Sequence, residues 1–209
     1  MSTISDLPNV ALRVEPQQAR ARQAIDAILR STGELLDEIG YDTLTTKAVA
    51  ERAGVNIATV YRYFPDKRSL AHSLALRHEA EYAYHFSPHL AALATDADWR
   101  TAIRQLSAEA MRIRIQQPGM EGMRRPLSAG SELRELQTRI VGGIVDSIAD
   151  VLRTRRQDLS PKEARVLAAT VQASTDAVLA LRLSALTPKQ ATAQAADVAI
   201  GYLAPVLDA

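Results

Sequence analysis

The sequence has no cysteine among its 209 residues, so it forms neither disulfide bonds nor metal sites with thiolate ligands. No stretch of about 18 apolar residues is free of charge, which argues against a membrane-spanning helix. The N-terminus also lacks the basic and apolar segments of a secretion signal. We therefore expect a cytoplasmic protein that makes no contact with a membrane.

Sequence motifs for catalysis and for cofactor binding are also missing. There is no glycine-rich phosphate loop, no nucleophile elbow and no helix pair that would bind a metal. The four histidines, His72, His78, His85 and His89, raise the alternative of a metal site. Pro88 interrupts the last pair, so we expect exposed or core histidines rather than ligands. The protein is expected to be no enzyme and to hold neither a cofactor nor a metal.

The residues that are present favour helices. Alanine, leucine and arginine are abundant, while glycine and proline number nine each. The net charge of +1 does not by itself indicate a nucleic-acid-binding protein. Residues 43–70, however, contain five basic and two acidic side chains, so positive charge gathers in one short stretch. The sequence predicts an all-α protein with a basic segment near its N-terminal end.

Periodic apolar residues begin near Gln18 and define a first helix that we expect to end at Gly40. Residues 1–17 lack such a period and are expected to form a flexible arm. Capping residues predict three further helices in this half of the chain. They are a second helix capped by Thr45 or Thr46 and stopped by Gly54, a third from Ile57 to Phe64 capped by Asn56, and a fourth from Asp66 to about Phe86.

A tight turn at Gly54-Val55 joins the second and third helices. This is the arrangement of a helix-turn-helix, whose second helix enters the major groove of DNA. We expect Val55, Val60 and Phe64 to face inward. The side chains then expected to point outward are Ile57, Ala58, Thr59, Tyr61, Arg62 and Tyr63. Hydroxyl and guanidinium groups donate hydrogen bonds to phosphates, and small side chains allow close approach to bases.

The residues around this turn form a pattern that is specific in its order and spacing. It contains Thr45-Thr46-Lys47, Gly54-Val55-Asn56, Thr59-Val60-Tyr61-Arg62-Tyr63-Phe64 and Lys67-Arg68-Ser69-Leu70. With the preceding Gly40-Tyr41 and the amphipathic first helix, it resembles the DNA-binding motif of the tetracycline-repressor (TetR) family over about residues 20–70. The departures are mild, since Asn56 stands where serine is commoner and Ser31-Thr32 replace the usual alanines.

This resemblance implies an all-α subunit with a three-helix DNA-binding domain over residues 18–66 and a helical ligand-binding and dimerisation domain over residues 67–209. It also implies the DNA contacts. Thr46 and Lys47 would contact phosphates, Thr59, Tyr61 and Tyr63 would touch DNA from the third helix, Ile57 and Ala58 would face bases, and Lys67 would hold the DNA backbone. Arg62 is a further donor on the outward face.

The function implied is that of a homodimeric repressor, which binds palindromic double-stranded operator DNA and is released by a small-molecule effector. Three alternatives stay open. The chain would otherwise be an activator, a repressor that needs a corepressor, or a helical interaction module in which the motif serves only for packing.

The C-terminal half is predicted to form helices over 99–117, 133–156, 161–186 and 188–207. Ser160 and Thr187 each precede a proline at a first helical position, which is a strong helix-start signal. The third of these helices is apolar on nearly all sides, so we expect it to be buried on both faces, one of them against a partner subunit. The expected dimer residues are Ala169, Ala173, Ala177, Ala180, Ser184, Val198, Tyr202, Leu203 and Val206. The alternative is that these helices close a monomeric core.

Candidate effector-binding residues are less well marked. Aromatic and methionine side chains suit a tolerant apolar pocket, although most such residues serve as core. The candidates are Tyr82, Phe86, Trp99, Ile103, Met111, Met120 and Met123, together with the polar group Gln172, Thr175 and Asp176 on one helix face. The polar group either binds a ligand or forms hydrogen bonds across a dimer or to a helix end. The arginines between residues 100 and 125 indicate either an anionic ligand or solvated helix faces.

Overall fold

The structure is a computed structural model that describes residues 19–124 and 131–208. The flexible arm predicted for residues 1–17 lies outside the described residues. Within the two described ranges the regular structure is entirely helical, as the composition predicts. The elements are α1 (Ala19–Thr43), α2 (Thr46–Ala53), α3 (Ile57–Tyr63), α4 (Lys67–Thr95), α5 (Trp99–Gln116), α6 (Met120–Arg124), α7 (Ser131–Arg155), α8 (Pro161–Ala180), a 3₁₀ segment (Leu181–Leu183) and α9 (Pro188–Leu207).

Local signals explain where the first helices begin and end. Gly40 interrupts α1 with a φ of 74°, a left-handed conformation that glycine adopts without a steric penalty. The side chain of Thr45 accepts a hydrogen bond from the Ala48 amide at 3.1 Å and so caps α2. Gly54 ends α2 with a φ of 65°. The predicted bounds of α2 are confirmed, with Thr45 rather than Thr46 as the cap. Gly40 interrupts α1 as expected, but the helix resumes and continues to Thr43.

The last two long helices begin with capping boxes. Ser160 and Glu163 exchange side-chain and backbone hydrogen bonds at the start of α8, and Thr187 and Gln190 do the same for α9. In both helices the proline occupies the first turn, where its missing N–H has no partner to lose. The predicted starts of α8 and α9 are therefore confirmed.

Two predicted helix boundaries are wrong, and one helix was not predicted. α4 continues through Pro88 to Thr95 instead of ending near Phe86. An internal proline costs about 3 kcal/mol, and the burial of Leu93 in the turn beyond it offsets this cost. α8 stops at Ala180, because the Ala185 and Leu186 amides fold back onto the Leu181 carbonyl. The short helix α6 was not predicted.

The chain forms two compact units. One contains Met1–Tyr82 and Arg114–Thr138, and the other contains Ala83–Ile113 and Arg139–Ala209. The helix-turn-helix therefore shares its unit with α6, which follows it by more than fifty residues. The predicted domains, residues 18–66 for DNA binding and residues 67–209 for ligand binding and dimerisation, are defined by function and not by compact packing. They stay a prediction.

Each unit has its own apolar core. In the first unit α1 buries Ile25, Ile28 and Leu29, while Phe64 and Leu70 are buried after α3 and in α4. The main cluster of the second unit contains Trp99, Leu152 and Leu203, and a smaller one groups Met111 with Leu179. No helix among the described residues is long and apolar enough to cross a membrane.

Helix α8 is buried on one face only, because Val166 is 55% exposed and Ala169, Ala173 and Ala177 on the same side are exposed as well. Within residues 19–124 and 131–208 no segment covers this other face.

Candidate nucleic-acid interface

Helix α3 presents one face to the core and the other to solvent. Val60 is fully buried, and Phe64, one helical turn later, is buried beside it. On the opposite face Ile57 is 36% exposed and Tyr61 is 47% exposed. Ala58 and Arg62 are exposed as well, and Thr59 is half-buried. The predicted outward face of α3 is thus present, with one exception.

The exception is Tyr63, which is only 5% exposed. The expectation that Tyr63 points outward is wrong, because it follows Val60 by three positions and lies on the same buried face. The guanidinium of Arg62 lies over its ring, 5.6 Å from the centroid. Whether Tyr63 also touches DNA stays a prediction.

The exposed side of α3 is joined to the first turn of α2. The Tyr61 hydroxyl and the Thr46 hydroxyl lie 3.1 Å apart and share a hydrogen bond. Lys47 follows Thr46 and is exposed, with its ammonium 3.9 Å from the Glu51 carboxylate. The structure therefore brings together Thr46, Lys47 and Tyr61, which the sequence assigned to one DNA-binding surface.

Lys67, which is predicted to contact the DNA backbone, forms hydrogen bonds within the protein. Its ammonium donates hydrogen bonds to the carbonyls of Tyr41 at 3.2 Å and Asp42 at 3.0 Å. It also lies 4.8 Å from the centroid of the Tyr41 ring. An ammonium has three donors, and two of them hold the end of α1. Whether Lys67 also contacts a phosphate stays a prediction.

An exposed ion pair fixes α2 against α1. The guanidinium of Arg52 donates to both carboxylate oxygens of Glu38, at 2.8 and 2.7 Å, and Glu34 lies 3.6 Å away. The hydrogen bond from Arg52 lowers the pKa of Glu38. This bidentate geometry orients α2, and with it the turn that leads into α3.

A contact that the sequence did not predict fixes the other side of α1. The carboxylate of Asp37 accepts hydrogen bonds from the amides of Gly119 at 2.7 Å and Gly122 at 2.6 Å. These amides lie before and within the first turn of α6, so Asp37 caps that helix from 82 and 85 positions away. No local sequence signal marks a cap over such a separation.

Glycines let the two backbones approach at this contact. A Cβ atom on Gly33 would lie 2.3 Å from the Pro118 carbonyl oxygen, and one on Gly122 would lie 2.4 Å from the Leu36 carbonyl oxygen. Both distances are far below van der Waals contact, so only glycine fits. The glycines at 33, 119 and 122 are the available signal in the sequence, but no local pattern connects residue 33 with residues 119 and 122.

His78 from α4 completes the contact. Its Nε2 lies 3.2 Å from the Pro118 carbonyl oxygen, to which the neutral ring donates. Burial lowers the pKa of His78 to about 4, with a smaller contribution from the positive charge of Arg77. The Pro118-Gly119 turn is therefore held by Asp37 and by a neutral His78. We call Gly33, Asp37, His78, Gly119 and Gly122 the α6 clamp.

The candidate effector residues are distributed over several places. Trp99 and Ile103 are buried in the main core of the second unit, and Met111 is in its smaller cluster. Met120 and Met123 are buried in the first unit. Half-buried positions are occupied by Tyr82, Phe86, Gln172, Thr175 and Asp176. The Thr175 hydroxyl donates to the Val171 carbonyl at 2.8 Å, so its hydrogen bond is made within α8. Binding of an effector by any of them stays a prediction.

The candidate dimer residues are mostly accessible. Ala169, Ala173, Ala177, Ser184 and Tyr202 are exposed, while Ala180, Val198 and Val206 are half-buried. Leu203 is the exception, with 0% exposure inside the core of its own subunit. The prediction that Leu203 contacts a partner is wrong, since its side chain is enclosed by its own chain.

The histidines of α4 lie differently from the expectation. The helix continues through Pro88, so His85 and His89 are one turn apart on it. The argument that Pro88 prevents these two histidines from forming a pair on one helix is therefore wrong. The Nδ1 atom of His85 is 3.2 Å from the Glu109 carboxylate. Within residues 19–124 and 131–208, no group of three potential metal ligands is present.

Comparison with known proteins gives matches over both halves of the chain. The model "Bacterial regulatory proteins, tetR family" matches residues 28–74, and the model "Tetracyclin repressor-like, C-terminal domain" matches residues 98–203. The class A tetracycline repressor from transposon 1721 of Escherichia coli is 38% identical over 76 residues. That match covers 36% of this chain and only 33% of the length of that relative.

Solved structures are similar over most of the chain. A TetR-family transcriptional regulator from Streptomyces coelicolor is 30% identical, with a TM-score of 0.59 over 90% of this chain and 100% of that one. The regulator AibR, solved with isovaleryl coenzyme A and operator DNA, is 14% identical. Its TM-score is 0.64 over 84% of this chain and 97% of that one, which shows a shared fold.

Proposed function

This chain belongs to the tetracycline-repressor (TetR) family of bacterial regulatory proteins, and from that premise we propose that it is a homodimeric transcriptional repressor. It binds palindromic operator DNA in the cytoplasm and leaves it when a small molecule binds. DNA binding is assigned to residues 18–66, and ligand binding and dimerisation to residues 67–209.

The observation that carries this proposal is the exposed face of α3 together with the start of α2. Ile57 and Ala58 are exposed at the N-terminal end of α3, the end of a recognition helix that meets base edges. Thr46, Lys47, Tyr61 and Arg62 flank them with hydroxyl and cationic donors for phosphates. The third donor of Lys67 adds a further phosphate contact beside the end of α1.

An apolar stripe on α8 supports the dimer. Its members recur at spacings of three and four and are accessible in the single chain. They are Val166, Ala169, Ala173 and Ala177 on α8 and Leu181 at the start of the 3₁₀ segment that follows it. Small side chains allow close packing of helices, and a two-fold axis through this face pairs each stripe with itself. Tyr202 on α9 is exposed and extends the apolar surface.

The release mechanism follows from the geometry of two half-sites. Two recognition helices enter successive major grooves only when they are about 34–36 Å apart. A ligand that binds better to a state with a different separation shifts the population away from the DNA-binding state. The AibR structure, which contains a coenzyme A ester and operator DNA, is a precedent for a protein of this fold that binds both.

DNA binding is tested with duplexes selected from a randomised library by the wild-type protein. Substitution of both exposed cations, Lys47→Ala with Arg62→Ala, removes two phosphate contacts. Each subunit loses two contacts, so the dimer loses four. We expect the affinity to fall at least tenfold and the slope of log affinity against log salt to become shallower by about four. Electrophoretic mobility shift at several salt concentrations measures both quantities.

The matched control neutralises two exposed lysines at the starts of α8 and α9, in Lys162→Ala with Lys189→Ala. This variant has the same change in net charge and should bind as the wild type does. Equal losses of DNA affinity in the two variants would show that the effect depends only on net charge and not on the positions of Lys47 and Arg62. Failure of the wild-type protein to retain any duplex at low salt would contradict the proposal.

A further inference from the structure

We propose that α3 reads its operator mainly through the 5-methyl groups of thymine, which Ile57 and Ala58 contact in the major groove. This inference rests on the proposed DNA-binding function and names the bases that the function depends on. The inference follows from a comparison of two groups of side chains. Some side chains of α3 are exposed and can reach bases, and others already form hydrogen bonds within the protein.

The first two residues of α3 expose only apolar side chains. Ile57 and Ala58 are the first two residues of the helix, and both are exposed. Thr59 comes next and is half-buried. The following residue, Val60, is fully buried in the core. The surface that a recognition helix turns toward base edges is therefore made largely of methyl groups.

The polar residues beside this end are committed to the fold. The Asn56 side-chain oxygen accepts a hydrogen bond from the Ala58 amide at 2.8 Å as the cap of α3. An amide recognises adenine by accepting from N6 and donating to N7. The capping bond takes one lone pair of the Asn56 oxygen and directs that oxygen toward the backbone of α3. The Tyr61 hydroxyl is joined to Thr46 at 3.1 Å, which directs it toward the start of α2.

The remaining chemistry of α3 is narrow. Its seven residues, Ile57–Tyr63, include no carboxylate to accept from cytosine, no amide for adenine and no lysine. Arg62 is its one charged residue and lies in the last turn, with its guanidinium over the Tyr63 ring. It is placed to contact a phosphate or one guanine. Thr59 adds one half-buried hydroxyl, and Ile57 and Ala58 are left to apolar contact.

Only one standard base presents an apolar group in the major groove. Thymine carries a methyl group at C5, and apolar side chains contact it directly. Burial of a methyl-sized group against Ile57 or Ala58 corresponds to about a fourfold change in affinity. Two such contacts in each half-site of a palindrome would account for a preference for thymine over the other bases. This preference requires no hydrogen bond from Ile57 or Ala58.

The test replaces thymine by deoxyuridine, which lacks only the methyl group. Duplexes selected from a randomised library by the full-length protein are resynthesised with deoxyuridine at each thymine in turn. We expect one or two positions per half-site at which the dissociation constant rises about fourfold. At one of these positions the variant Ile57→Ala should bind thymine and deoxyuridine duplexes equally.

The control is Ile115→Ala, which truncates an exposed isoleucine on α5 and should keep the full sensitivity to deoxyuridine. Thermal unfolding of each variant shows whether the fold is intact. Selected duplexes that bind equally well after every thymine is replaced would overturn the inference while leaving DNA binding established. A library from which no duplex is retained would overturn DNA binding and the inference with it.

Discussion

Helices α3 and α6 are both short, with seven and five residues, but their N-termini are held in opposite ways. Asn56 caps α3 from the adjacent position, through a bond to the Ala58 amide at 2.8 Å. Asp37 caps α6 from another helix, through bonds to two amides at 2.7 and 2.6 Å. The first cap forms wherever this short sequence forms a helix, whereas the second requires the packed unit.

This difference has a consequence for stability. A local cap contributes to one helix, so its loss frays that helix and leaves the rest of the fold in place. The α6 clamp joins α1, α4 and α6. A change in the clamp therefore disturbs α1, which also positions α2 through the ion pair between Glu38 and Arg52. We therefore expect substitutions in the clamp to cost more than substitutions at the α3 cap.

The largest expected effect comes from Gly33→Ala. The new Cβ would lie 2.3 Å from a backbone oxygen of Pro118, so α1 and the turn before α6 must separate. We expect a loss of about 3 kcal/mol in the free energy of unfolding, measured by urea denaturation. Gly143→Ala on α7 is the control, because its Cβ would meet nothing within 4 Å. That variant should be as stable as the wild type or slightly more so.

Asp37→Ala is expected to cost about 2 kcal/mol, because two amides lose a charged acceptor in a partly buried site. Asp37→Asn keeps one acceptor oxygen and should lose less. Hydrogen exchange at the Gly119 and Gly122 amides should accelerate in both variants, and more in the alanine variant. Unchanged exchange at these two amides would show that the carboxylate is not their partner in solution.

The clamp should also weaken in acid, because of His78. Its pKa is lowered from an ordinary value of 6.5 to about 4 in the folded protein, so the unfolded chain binds more protons between these values. Stability therefore falls as the pH falls through this window, and at pH 5 the loss is about 2 kcal/mol relative to pH 7. Urea denaturation between pH 7 and pH 5 measures this loss.

Two variants test the assignment to His78. His78→Gln retains a donor for the Pro118 carbonyl but does not titrate, so most of the loss between pH 7 and pH 5 should disappear. His72→Gln on the same helix replaces a histidine that is only half-buried, and it should keep the loss. An unchanged pH dependence in His78→Gln would assign the loss to other groups.

The smallest effect is expected at the local cap. Asn56→Ala removes one acceptor from the start of α3 and should cost about 1 kcal/mol. Asn56→Ser retains an acceptor oxygen and should restore most of that stability. A cost at Asn56 larger than the cost of Asp37→Ala would reverse the expected order of the two caps, and urea denaturation of both variants decides this.

The same contrast explains how much the sequence alone could predict. The caps at Thr45, Asn56, Ser160 and Thr187 and the glycine ends at 40 and 54 involve residues within a few positions of each other. Their chemistry is visible in the sequence, and the all-α fold and the helix-turn-helix follow from it.

The features that could not be predicted depend on tertiary packing. Asp37 and its partners in α6 are more than eighty residues apart in the sequence, so no local pattern marks their contact. The burial of Leu203 depends on the shape of the surrounding core, and so does the continuation of α4 through Pro88. The burial of Tyr63, in contrast, follows from its spacing of three from Val60 and could have been predicted. Periodicity identifies an apolar face, but it does not distinguish a core that encloses a residue from a surface that awaits a partner.

A hydroxyl-radical footprint on a selected duplex tests the central claim most directly. Two α3 helices held by one dimer should protect two segments on the same face of the DNA, with centres about 10 base pairs apart. One protected segment, or two whose spacing places them on opposite faces of the duplex, would contradict the account.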